Sequence, residues 1–212
     1  MDEHDTGKLT AVIVDDEELA RKILKEYLAA HPDVRIVAEC ANGYEAVKAV
    51  SETHPDLVFL DIQMPKLDGF EVLELIGHGP QVIFVTAYDQ YALRAFEVHA
   101  VDYLLKPFSP ERLAEALERA RQGIRRGESQ PLAALVAESR QREKPIERVL
   151  IRDGSRVHVI PVEKIDYIEA QDDYVSLKTG GKEYLKQETL SELEALLDPG
   201  RFIRIHLSLI HI

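Results

Sequence analysis

Hydrophobic positions repeat with two different periods along the chain. In the first half, the apolar run Leu9-Thr10-Ala11-Val12-Ile13-Val14 precedes a helical stripe at Leu19, Ile23, Leu24, Tyr27 and Leu28. The cycle recurs as residues 34–38 then 43–54, 57–60 then 70–76, and 82–86 then 90–99. It closes with Tyr103-Leu104-Leu105 and a helix from Pro110 to about Gln122, opened by Ser109 as cap and Pro110 as first helical residue. Short apolar strands alternating with helices predict a five-stranded, mostly parallel sheet covered on both faces, a doubly wound α/β fold.

Beyond Pro145 the period becomes two. Arg148-Val149-Leu150-Ile151 and residues 157–160 flank Asp153-Gly154, while residues 174–178 and 183–186 flank Gly180-Gly181, so both pairs read as hairpins. Thr189-Leu190-Ser191-Glu192 has capping-box spacing and opens a short helix over 190–197, ended by Pro199-Gly200. The second half is therefore predicted to be mainly antiparallel β. Residues 123–145, rich in Gly, Arg, Gln and Ser around an apolar stretch at 132–136, read as a linker between domains at 1–122 and 146–212.

Composition adds a compartment and a charge map. The single Cys40 excludes an internal disulfide, and no signal sequence or long uncharged apolar run is present, which together point to the cytoplasm and away from a membrane. The net charge of -12 is unevenly spread: residues 1–122 hold 12 Lys/Arg against 23 Asp/Glu, whereas residues 146–212 hold 9 against 12. The acidity belongs to the first domain, and the second lacks the basic excess that a phosphate-backbone binder usually carries.

The chemistry gathers at strand ends. Asp61 closes the apolar run Leu57-Val58-Phe59-Leu60, Asp15-Asp16 closes the first run, Thr86 the fourth, and Lys106 follows the fifth. Ligands of open α/β sheets collect at the carboxyl ends of the strands. Three carboxylates there supply hard oxygen ligands of the kind that hold Mg²⁺. A carboxylate can also accept a phosphoryl group, with a threonine hydroxyl to hydrogen-bond it and a lysine to pair with its charge. Each residue has a plainer role available, as helix cap, β-former or solvated surface cation; it is their coincidence at four strand ends that favours a site. The eight histidines show no metal-ligand spacing.

Val-Asp-Asp-Glu (14–17), Phe-Leu-Asp-Ile-Gln-Met-Pro-Lys-Leu-Asp-Gly (59–69), Val-Thr-Ala-Tyr (85–88) and Tyr-Leu-Leu-Lys-Pro-Phe (103–108) resemble the receiver domain of two-component response regulators over residues 8–122. The resemblance implies a flavodoxin-like fold with Asp61 as phosphoacceptor. It implies Mg²⁺ held by Asp15, Asp16, Asp61 and the backbone carbonyl of Gln63, with Thr86 and Tyr103 as a switch pair. Lys106 would be the phosphate's cation, and a cis bond would precede Pro107. The implied partner is a sensor histidine kinase, phosphorylation would promote a homodimer, and the only catalysis would be the domain's own phosphorylation and dephosphorylation.

The second half resembles the LytTR output domain, a DNA-binding β-fold. The carrying residues are Ile160-Pro161-Val162, Ile165-Asp166-Tyr167-Ile168-Glu169-Ala170, Tyr174-Val175, Glu188-Thr189-Leu190 and Phe202-Ile203-Arg204-Ile205-His206. The implied partner is double-stranded DNA. Arg204, His206 and Ser208 would share the polar face of one alternating final strand, opposite Ile203, Ile205, Leu207 and Leu209; Asp173, Tyr174 and Lys186 are further DNA candidates. The resemblance lapses at Leu207, and alternation breaks after Leu209. Residues 207–212 are thus expected to form an unpaired apolar edge, as if truncated, with impaired DNA binding.

The function expected is a transcription regulator controlled by phosphorylation. One alternative is a phosphorelay or protein-docking regulator without DNA binding. A phosphatase of the haloacid-dehalogenase kind would need Asp-x-Asp at the end of the first strand, where this chain has adjacent acids.

Overall fold

The computed structural model describes residues 8–77, 79–88, 100–126, 145–154, 156–171, 174–206 and 208–211. The chain divides into two compact units, Met1–Val136 and Ala137–Ile212. The expected helix over 90–99, the stretch at 132–136, Asp173, Leu207 and Ile212 lie outside the described residues.

The first unit runs β1 (Leu9–Val14), α1 (Glu18–Leu28), β2 (Val34–Cys40), α2 (Gly43–Thr53), β3 (Leu57–Leu60), α3 (Gly69–Ile76), β4 (Gln81–Thr86), β5 (Asp102–Leu105) and α4 (Pro110–Arg126). The sheet is parallel throughout, in the order β2-β1-β3-β4-β5. Every residue of β3 and β4 is buried, as strands covered on both faces require. One core cluster joins Ile13, Phe59, Ile83 and Leu104 of the sheet to Leu24 and Leu28 of α1 and Leu113, Leu117 and Ala120 of α4. The α1 stripe is narrower than its sequence predicts. Leu24 and Leu28 are buried, but Leu19 and Ile23 are 68% and 39% exposed.

Local chemistry sets the helix ends. Asn42 accepts from the Glu45 amide, Asp68 and Glu71 form a full capping box, and the Ser109 hydroxyl accepts from the Arg112 amide at 3.3 Å. Helix α4 continues to Arg126, past the expected Gln122, because its buried stripe Leu113, Ala116, Leu117 and Ala120 extends to Gly123. There a Cβ would stand 2.9 Å from the Gln81 amide oxygen.

Asp102, buried at the start of β5, is held by Arg112 at 2.6 and 2.9 Å and by Arg119 at 2.7 Å, both from α4. Burial alone would push its carboxyl up; the Arg112 hydrogen bonds, the Tyr103 amide and the two guanidinium charges outweigh it, and the net shift is downward. A carboxylate held below its ordinary value stabilises the fold at neutral pH, and the contribution is lost as pH falls through that lowered value. Asp102→Asn is therefore expected to cost the first domain about 1–3 kcal/mol at pH 7, read as a lower urea midpoint. The gap from the parent should narrow below about pH 4; equal midpoints at pH 7 would refute the assignment.

The second unit contains β6 (Arg148–Asp153), β7 (Arg156–Pro161), β8 (Tyr167–Gln171), β9 (Tyr174–Thr179), β10 (Lys182–Lys186), α5 (Leu190–Leu196), β11 (Ile203–His206) and β12 (Leu209–His211). β6 and β7 pair as a hairpin, and a five-stranded antiparallel sheet has the order β10-β9-β8-β12-β11. Gly180 and Gly181 both take positive φ (53° and 77°), the geometry of the two-residue hairpin turn that Gly-Gly predicts. Val149, Ile160, Ile168, Val175, Leu177, Leu193, Phe202 and Ile210 lie in one core cluster.

The final segment forms two strands, not the single alternating strand expected. The chain turns at Ser208, and β12 returns antiparallel between β11 and β8, with Ile210 opposite Ile168. The reversal is what buries Ile210. Residues 209–211 are thus paired on both sides, and β11 is the edge strand. Its faces are also the reverse of an apolar-inside strand: Ile203 and Ile205 are exposed, while Arg204 reaches Glu194 at 2.9 Å and the Ser191 hydroxyl at 3.2 Å on α5.

Candidate functional site

The strand order reverses direction at β1 and β3, and at this switch point the two strands end together. The Asp61 amide donates to the Val14 carbonyl at 2.9 Å, and the Asp15 amide to the Cys40 carbonyl at 3.1 Å. These bonds fix two acidic residues side by side just past the sheet, where ligands of such folds bind. Asp15 and Asp61 are buried and Asp16 is exposed; one carboxylate oxygen from each of the three lies within 4.8 Å of the others.

Lys106 supplies the opposing charge. Its Nζ is 2.6 Å from Asp15 Oδ2 and 3.1 Å from Asp61 Oδ2. The Lys106 amide donates to the Thr86 carbonyl at 2.8 Å, and the bond to Pro107 is cis. Burial would lower the lysine's pKa, but the hydrogen bond to Asp15 and the charges of both carboxylates raise it overall, so the ammonium stays protonated. For Asp15 burial is the largest influence and pushes the carboxyl up in spite of Lys106. Asp61 Oδ1 accepts from the Gln63 amide at 3.3 Å, so the carboxylate is oriented through both oxygens.

Thr86 ends β4, and Tyr103 lies near the start of β5. Thr86 is fully buried, and its hydroxyl has no hydrogen-bond partner among the described residues. A buried hydroxyl without a partner is costly, and an incoming anion would relieve the cost. Tyr103, half-buried on β5 opposite Phe84, donates its phenol to the Tyr88 carbonyl. A cleft of about 430 Å³ opens beside Asp16, Gln63, Met64, Pro65 and Asp68, leaving access to the acids. Three hard carboxylates at close range fit a divalent cation retaining several waters.

The family model described as the response regulator receiver domain matches residues 11–118, and the LytTr DNA-binding domain matches residues 155–210. The chain is a response regulator of the LytTR family. An uncharacterized response regulatory protein of Vibrio cholerae is 44% identical over 216 residues, covering 95% of this chain and 83% of its own. The transcriptional regulatory protein BtsR of Salmonella typhi is 38% identical over 190 residues, covering 88% and 77%. The crystal structure of the response regulatory domain of mrkE from Klebsiella pneumoniae superposes with a TM-score of 0.52 at 32% identity, covering 56% of this chain and 99% of that one.

The response regulator's DNA candidates are less tightly grouped than its receiver residues. Tyr174 is exposed at the start of β9, and Lys186, at the end of β10, lies 3.3 Å from Glu188. Arg204 and His206 lie on β11, at the opposite edge of the sheet, with β8 and β12 between. The His206 ring is 3.0 Å from the Ser208 hydroxyl. Two residues that touch the backbone of the site's acids are not among those expected from the sequence. Gly69 donates to the Ile62 carbonyl at 2.8 Å and lies so near Asp61 that a Cβ would be 2.4 Å from the Asp61 carbonyl oxygen. Arg21 bonds the Asp15 carbonyl. The Asp-Gly of the loop motif hints at the first, whereas no local pattern marks the second.

Proposed function

We propose that Asp61 accepts a phosphoryl group from a sensor histidine kinase in a Mg²⁺-dependent reaction, and that phosphorylation drives receiver pairing and DNA binding by the output domain. One observation carries this reading: a buried Asp61 held by Lys106 and the Gln63 amide beside Asp15 and Asp16. In the transfer, the bond from the donor's imidazole nitrogen to phosphorus breaks as one from an Asp61 oxygen forms. Hydrolysis later returns the carboxylate and inorganic phosphate.

Asp15, Asp16, Asp61 and the Gln63 carbonyl would hold the cation, which when bound offsets the charge of the carboxylates and the arriving anion. Lys106 then pairs with a phosphate oxygen, and the Thr86 hydroxyl donates to another. Drawing Thr86 toward the phosphoryl group frees space on the sheet into which Tyr103 turns, giving up the Tyr88 carbonyl. An apolar groove of about 330 Å³ beside the acids, lined by Leu19, Ile23, Tyr27, Pro107 and Phe108, suits an amphipathic kinase helix. Among the described residues no helix is long and apolar enough to cross a membrane, and a cytoplasmic location agrees with the lone, buried Cys40.

The test treats the full chain with acetyl phosphate, with Mg²⁺ or with chelator, and follows labelling, sedimentation and DNA mobility shift together. Labelling, pairing and tighter DNA binding are expected only with Mg²⁺. Labelling that survives chelation would overturn the metal's role; labelling without any change in DNA binding would favour a docking or relay regulator.

A further inference from the structure

The turn between β1 and α1 carries two of the three candidate metal-binding carboxylates; the Asp15 amide bonds the Cys40 carbonyl at 3.1 Å and the Asp15 carboxylate accepts from the Glu17 amide at 3.0 Å, which leaves the Asp15 carbonyl to be held from elsewhere. β1 ends at Val14, whose carbonyl accepts from Asp61, and the first helical bond of α1 runs from the Arg21 amide to the Glu17 carbonyl at 3.2 Å. Glu17, the N-cap, makes no side-chain capping bond. The Asp15 carbonyl falls between the strand ladder and the helix, and its partner is the Arg21 guanidinium, Nη1 donating at 2.6 Å. A charge-assisted bond this short fixes direction as well as distance. Arg21 thus closes the turn twice, through its backbone and through its side chain.

Resting on the metal reading above, we propose that Arg21 is a positioning residue for Mg²⁺ binding: by holding the Asp15 carbonyl, it sets the turn that presents Asp15 and Asp16 to the cation. The two basic residues near the acids divide the work. Lys106 sits on the carboxylate oxygens and must yield to an arriving cation. Arg21 bonds the carbonyl of the same residue and keeps that bond when a cation binds. Mg²⁺ tolerates little departure from octahedral geometry, so freeing the turn weakens binding. Residues that orient metal ligands typically account for 10–100-fold in affinity.

The sign of the effect separates positioning from charge. If Arg21 acted merely as a nearby positive charge, its removal would tighten Mg²⁺ binding. If it positions the turn, removal loosens binding despite the gain in negative potential. Calorimetric titration of the full chain with MgCl₂, without phosphodonor, is expected to show Arg21→Ala about tenfold weaker than the parent. Arg21→Lys and Arg21→Gln, each able to donate to a carbonyl, should recover part of the loss. The Mg²⁺ concentration for half-maximal labelling by acetyl phosphate should rise in step, with the rate at saturating Mg²⁺ unchanged. An Arg21→Ala affinity within twofold of the parent, or tighter, would overturn the inference while leaving the metal site standing. A parent chain that binds no Mg²⁺ would overturn both. Should Arg21→Ala fail to fold, Arg21→Met, similar in length and without a donor, takes its place: weaker Mg²⁺ binding by Arg21→Met than by Arg21→Gln and Arg21→Lys supports positioning through a donated bond, and equal or tighter binding by Arg21→Met refutes it.

Discussion

Asp61→Asn is expected to remove phosphate uptake altogether while leaving the fold intact. The amide lacks the nucleophilic oxygen that forms an acyl phosphate, so labelling by acetyl phosphate in Mg²⁺ should fall to background, by more than about a hundredfold. Stability should hold for an electrostatic reason. Three carboxylates within 4.8 Å of one another repel, and neutralising one leaves Lys106 bonded to Asp15 at 2.6 Å. The Gln63 amide can still donate to the side-chain carbonyl oxygen that the substitution retains, so unfolding is expected to shift by no more than about 1 kcal/mol. Parallel measurement of labelling and urea unfolding checks both halves. Undiminished labelling of the soluble, folded variant would remove Asp61 from the mechanism.

The largest expected structural effect is at Gly69, the first residue of α3. A methyl group there would sit 2.4 Å from the Asp61 carbonyl oxygen and 2.9 Å from the Ile62 Cα. Both are backbone atoms, so no side chain can swing aside. Either α3 moves off the end of β3, breaking the 2.8 Å bond from the Gly69 amide to the Ile62 carbonyl, or β3 moves and takes Asp61 with it. Gly69→Ala is expected to cost about 2–4 kcal/mol and to slow labelling in the molecules that remain folded. Gly79→Ala is the matched control, because a Cβ at 79 meets nothing within 4 Å. A Gly69→Ala protein that unfolds with its parent, or labels at the parental rate, would show that the close approach is not maintained in solution.

Much of the receiver site is legible in the chain because Asp15, Asp61 and Thr86 end or directly follow buried strand runs and Lys106 directly follows β5. Continuous apolar runs such as Val58-Phe59-Leu60 can lie only inside a covered sheet, and the first polar residue after each run must emerge at the strand's end. Asp15, Asp61, Thr86 and Lys106 are therefore placed by local pattern alone. The Gly180-Gly181 turn and the Thr189/Glu192 capping box are equally local, since two or three neighbouring residues complete the hydrogen bonding.

What the sequence leaves open is the choice among long-range partners. A period of two continues through Ile203, Arg204, Ile205 and His206 toward Leu209, and no Gly, Pro or Asn marks the reversal at Ser208. Pairing of β12 with β8 and burial of Ile210 decide that turn, and the same pairing sends Arg204 to Glu194 and leaves Ile203 and Ile205 exposed. The order β2-β1-β3-β4-β5 likewise cannot be read from apolar periodicity, which says that a strand is buried but not beside which other strand. Four contacts follow only from the assembled fold: Arg21 on the Asp15 carbonyl, Arg112 and Arg119 on Asp102, and the Gly69 backbone against Asp61. By itself the sequence determined the strand and helix alternation and the identity of the acids, because burial and hydrogen-bond valence act on neighbouring residues. Tertiary structure decided strand order, the closing hairpin and the residues that hold the acids in place, because these depend on packing between segments that no local pattern relates.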